Sequence, residues 1–154
     1  MLISLDQATL LFGLIYYGLL FLVFTLRAYE RKEEIYLKHI FSAQLIPFTV
    51  IFAGNLQDKQ VNKAVTLIPL LFYLAYDLWY RVVTEKKPLH HPEKWPKGLI
   101  IYVILLYAGS IGLNWYGFLV SEQTGMTLVA GFFVMMTSYS LYQFRHNRVK
   151  AQTA

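Results

Sequence analysis

Cysteine is absent from the 154-residue sequence. Disulfides, thiolate nucleophiles and thiolate-bound metals are thereby excluded, and a metal would have to be held by histidines and carboxylates. Charge is scarce too. Asp, Glu, Lys and Arg make up 15% of the chain against 56% hydrophobic residues, where an ordinary soluble domain carries about 25% charged residues. The mean hydropathy of +0.43 points the same way. The opening "MLISLDQ" has no basic segment, and no small-residue cleavage site follows the first apolar run. That run is therefore expected to stay as a helix rather than to be removed as a signal peptide.

What the sequence does contain is apolar runs of spanning length. Crossing ~30 Å of hydrocarbon takes ~20 residues at 1.5 Å per residue, and residues 8–26, 40–54, 64–83, 98–120 and 126–144 each approach that. The pattern predicts an all-α fold, a polytopic integral membrane bundle of about five transmembrane helices forming one membrane domain over residues 1–154. The segment "SEQTG", Ser121 to Gly125, is short enough to make the last two spans an antiparallel hairpin. Residues 84–97 carry Pro88, Pro92 and Pro96, which disfavour a continuous helix and predict a loop.

Basic residues orient the bundle. Arg27, Arg31, Lys32 and Lys38 flank the first loop, Arg81, Lys86, Lys87, Lys94 and Lys97 the third, and Arg145, Arg148 and Lys150 the tail, against Lys59 and Lys63 on the other side. This bias predicts an N-terminus outside and a C-terminus in the cytoplasm, in a multi-pass protein of the cell (inner) membrane. The net charge of +5 is assigned to anionic headgroups of membrane lipids at the cytoplasmic face. A nucleic-acid partner is not expected, because the positive residues flank spans instead of covering one face. Trp79, Tyr80 and Trp95 fall at one expected boundary and Trp115 and Tyr116 toward the other, as interfacial aromatics do. Tyr16 and Tyr17 lie near the middle of the first run, where at least one hydroxyl needs a partner.

Asp77 is the residue most in need of explanation, since a carboxylate inside a span marks a proton, ion or substrate site by default. Arg81 stands four residues later, the spacing and order of an intrahelical ion pair that ends the third helix at the headgroups. Both residues, with Gln44, are the candidates for a substrate or ion pathway. Pro47 and Pro69 interrupt the second and third spans and are expected to kink them, freeing the carbonyls of Ala43 and Val65. The histidines form a second group of candidates. His39, His90, His91 and His146 are all expected at the cytoplasmic face, and Glu93 could join them in a His and carboxylate metal site. Asp77, His90 and His91 are likewise the candidates for catalysis. However, no His-x-x-His, His-x-x-x-His or Glu-x-x-His spacing places two ligands on one helix face, and the histidine boxes of membrane desaturases are missing. No metal and no cofactor is expected.

Small residues bear on packing. Ala108, Gly109 and Gly112 line one stripe of the fourth span, and Ala130 and Gly131 of the fifth are expected to face it, making this the tightest contact. The first span, with Gly13 and Gly18 on different faces, would then be left for lipid or a partner. These readings lead to a non-catalytic subunit or partner-binding component of a membrane complex, contacting another membrane protein or a second copy of itself. Two alternatives remain: a membrane enzyme acting on a lipid or isoprenoid at the cytoplasmic face, and a small oligomeric transporter or channel using Asp77.

Overall fold

A computed structural model describes residues 4–29, 34–83 and 97–153. Side chains at 27, 34–36, 38, 81–82, 143 and 145–153 lie outside the described set. Among the described residues the chain is helical with no strand. Five stretches are long and apolar enough to cross a membrane: Leu5–Leu26, His39–Gln57, Val61–Tyr80, Lys97–Val120 and Glu122–Tyr142.

Helix α1, Leu5–Ala28, begins three residues ahead of the apolar run because "SLDQ" forms a reciprocal cap. Ser4 Oγ accepts the Gln7 amide at 3.2 Å and Gln7 Oε1 accepts the Ser4 amide at 3.1 Å. Helices α2, Glu34–Ser42, and α3, Leu45–Gln57, share the second spanning stretch. The chain breaks at Ala43 and Gln44, so Pro47 is the third residue of a new helix. Its missing donor is harmless there, since the first turn has no intrahelical acceptor to reach. The expected kink is thus a complete break, and the Ala43 carbonyl is not freed, accepting the Ile46 amide at 3.1 Å. Helix α4, Val61–Asp77, runs unbroken through Pro69 and continues as a π-helical segment, Leu78–Val83. Helices α5, Lys97–Val120, and α6, Glu122–Thr153, are separated by Ser121 alone. Ser121 caps α6 by accepting the Thr124 amide at 3.1 Å, so most of the segment read as a loop is the first turn of a helix.

Packing differs from the sequence expectation. The most extensive interhelix contacts join α1 to α6 and α4 to α5, and the α5–α6 hairpin follows them. The small stripe of α5 is used, but against α4: a Cβ on Gly109 would stand 3.0 Å from the Leu70 Cα, and one on Gly112 would enter the carbonyl oxygen of Thr66. Gly131 takes the Tyr17 ring of α1 instead, with Tyr17 Cδ2 3.1 Å from where its Cβ would be, and Ala130 is exposed. Gly13 of α1 lies against Leu128 and Leu113. Helix α1 is therefore a central element and not a free one. The physical reason is that a glycine notch is filled as well by a tyrosine or leucine from a neighbour as by another small residue.

Candidate functional site

Two polar networks lie in the bundle, at opposite ends of α4. The first surrounds Asp77, the last residue of α4, which is fully buried. Ser42, the last residue of α2, donates from Oγ to Asp77 Oδ2 at 3.1 Å. Tyr102, in the second turn of α5, donates from its hydroxyl to Oδ1 at 3.0 Å. The Tyr73 hydroxyl, one turn deeper on α4, is 2.9 Å from that of Tyr102. These residues meet because three helix ends reach the same level of the bundle: α2 and α5 begin their spans there and α4 ends there. Aromatic rings close the site. Tyr73 packs edge-on to Tyr102 at 5.4 Å, Tyr80 lies 6.0 Å from Tyr102, and Tyr76 stacks on Tyr80 while donating to the Gly98 carbonyl at 3.0 Å. The arrangement is a carboxyl group supplied with neutral hydroxyl donors from two other helices, able to hold a charge or a proton out of contact with water.

The second network sits where α1 and α4 start. Lys63 Nζ contacts both oxygens of Asp6, at 2.7 and 2.9 Å. The Tyr116 hydroxyl of α5 is 3.1 Å from Asp6 Oδ1 and is tied to Asn55 of α3, which donates from Nδ2 to it at 3.2 Å and to the Ile51 carbonyl at 2.8 Å. Asn55 is fully buried, whereas the Asp6 side chain is 37% exposed. This is an ion pair at the rim of the bundle with a buried amide beneath it.

The sequence candidates are placed as follows. Asp77 bonds to Ser42 and Tyr102; its pairing with Arg81 lies outside the described residues. Gln44 sits at the break between α2 and α3, nearly buried, with Oε1 lacking a hydrogen-bond partner. His39 is exposed on α2. His90, His91 and Glu93 lie outside the described residues, and so does the side chain of His146, whose backbone belongs to α6. Among the described residues no three of His, Asp and Glu come together as metal ligands.

Sequence reading missed Tyr102, Asp6, Lys63 and Asn55 as members of a site, placed Ser42 only beside the Ala43 carbonyl and took Tyr116 for a boundary aromatic. Their signal was available: each is a polar residue near the end of an apolar run, at a depth that matches a polar residue on another run. Compared with protein-family models, with curated proteins and with solved structures, the chain matches none.

Proposed function

We propose that the chain is an integral membrane protein with five spans, its N-terminus outside and its C-terminus in the cytoplasm, acting as a non-catalytic component of a membrane complex. Membrane insertion is supported by the outer surface. Ile46, Ile111 and Phe133, on three different helices, are 64–70% exposed, and an apolar surface on all sides suits lipid rather than water. Orientation rests on the basic asymmetry of the loops. A reporter fused after Ala154 is expected to be active in the cytoplasmic compartment; activity confined to the external side would reverse the assignment.

The observation that carries the non-catalytic reading is that Asp6 and Asp77 each bond to side chains of other helices. They serve the bundle's own assembly. The test is native mass measurement after mild extraction from the membrane. A stoichiometric second polypeptide or a defined homo-oligomer is expected, and a monomer carrying only lipid would reject the complex.

A second reading has its own observation: Asp77 is entirely buried among hydroxyls instead of lying at the surface. That favours a proton- or cation-exchanging site in a small transporter or channel. Loss of flux in proteoliposomes on Asp77→Asn, with the fold retained, would select this reading over the first.

A further inference from the structure

Asp77 lies close to the end of its spanning stretch, Val61–Tyr80, about 4.5 Å in from Tyr80 at 1.5 Å per residue. It is nevertheless fully buried, and the cover at this end is aromatic. Tyr80, itself buried, has its ring centroid 6.0 Å from that of Tyr102, the donor to Asp77 Oδ1. Tyr76 stacks on Tyr80 at 5.8 Å with 18° between the ring planes, and its hydroxyl donates to the Gly98 carbonyl at 3.0 Å. Gly98, at the start of α5, makes room for both rings: a Cβ there would stand 3.2 Å from Tyr80 Cε2 and 3.2 Å from the Tyr76 oxygen.

Tyr80 belongs to the π-helical segment Leu78–Val83. There each hydrogen bond closes over five residues instead of four, a form that is rare and frequently found at functional sites. Rewinding to the α form turns Tyr80 about the helix axis relative to Asp77, so the cover can move without a helix leaving the bundle. We propose that Tyr76 and Tyr80 form a gate over Asp77, latched on Gly98, which opens this end of the bundle with the fold intact and admits water and small cations to the carboxyl group. Cations suit the site because Asp77 meets neutral hydroxyl donors in Ser42 and Tyr102. The gate takes its purpose from the proton- or cation-exchange reading of Asp77, but its opening is measured separately from flux.

Because the chain has no cysteine, a single thiol is a clean reporter. Ser42→Cys puts one beside Asp77, since Ser42 Oγ lies 3.1 Å from Oδ2. The full-length Ser42→Cys protein, folded in detergent, is treated with a water-soluble methanethiosulfonate carrying an ammonium group, and modification is followed by mass. Slow modification is expected. Adding Tyr76→Phe, which removes the bond to Gly98 and keeps the ring, should raise the rate about two- to tenfold. Gly98→Ala, which crowds both rings, should raise it as well. Tyr116→Phe at the opposite end of the bundle should leave it unchanged. Modification only on unfolding would overturn the gate, as would a rate unmoved by both Tyr76→Phe and Gly98→Ala. A rise with Tyr116→Phe equal to that with Tyr76→Phe would also overturn it, because the exposure would then be global. Should Ser42→Cys fail to fold, modification of Asp77 itself by a water-soluble carbodiimide, read in the peptide that contains it, replaces the thiol in the same comparisons. Gated modification together with flux that survives Asp77→Asn would uphold the gate and reject exchange through Asp77.

Discussion

The two ends of α4 solve the same problem with different chemistry. At its start, Asp6 meets the Lys63 ammonium at a rim that water can reach; at its end, about 21 Å away at 1.5 Å per residue, Asp77 is met by the hydroxyls of Ser42 and Tyr102 in full burial. The difference follows from dielectric. At a wet rim an ion pair is weakly coupled and tolerant of change, because water can replace either partner. In a dry interior the loss of a donor to a carboxyl group costs more, because water does not replace it. The Asp6 end should therefore be replaceable, and the Asp77 end should not.

The largest effect is expected where the two ends are held in register. Helices α4 and α5 touch backbone to backbone at Gly109 and Gly112, and Gly112→Leu would drive its side chain into the Thr66 carbonyl. Loss of folded protein is expected at both ends together, a cost above about 4 kcal/mol, read as failure to recover a monodisperse species in detergent. A folded Gly112→Leu protein would show that the seam can open without dismantling either network.

Next in size is Tyr102→Phe. It removes the donor to Asp77 Oδ1 and the partner of Tyr73 while keeping the ring, and it should cost roughly 1–3 kcal/mol. Tyr116→Phe at the other end should cost less, since Asn55 retains its bond to Ile51 and Asp6 retains Lys63. Unfolding midpoints measured side by side check the order; equal costs would remove the contrast between dry and wet ends.

The five apolar runs were legible in the sequence to within a few residues, because span length is set by composition alone. Which face of each run turns inward was not. In a soluble helix the apolar stripe marks the core, but in the proposed membrane bundle lipid and core would be equally apolar and the pattern would carry no such mark. That is why α1 could be read as free although Tyr16, Tyr17 and Leu20 are buried. Asp77 was legible as an anomaly. Its partners, 25 and 35 residues away, depend on how three helices stack. The one pairing offered by local spacing, with Arg81, lies outside the described residues. Local caps were readable in principle: "SLDQ" is a capping box and Ser121 stands three residues before the amide it caps.

Salt should separate the ends more finely. Lys63→Met is expected to lower stability by about 1 kcal/mol, as a partly exposed pair does, and raising the salt concentration should narrow the gap between parent and variant. The cost of Tyr102→Phe should not change with salt. A salt-insensitive Lys63→Met deficit would mean that the Asp6 end is as dry as the Asp77 end.

The smallest effect lies in how α3 hands over to α4 at the Asp6 end. The Gln60 amide bonds the Asn55 carbonyl at 2.8 Å and the Lys59 amide bonds the Leu56 carbonyl at 3.1 Å, the two bonds of a Schellman turn. Such a turn places its penultimate residue in the left-handed region, and Lys59 has φ 57°. Glycine adopts that conformation freely, whereas a side chain carries a penalty of order 1 kcal/mol. Part of that gain is lost because glycine also has more freedom in the unfolded chain. Lys59→Gly should therefore stabilise the protein by a few tenths of a kcal/mol, seen as a midpoint rise of about 1 °C. Lys59 and Lys63 are the two basic residues between the second and third apolar runs, so in the proposed orientation the same variant should leave the topology unchanged or strengthen it. A fall in stability would mean that the lysine side chain contributes at this rim something beyond the turn, and that the Asp6 end is less replaceable than its exposure implies.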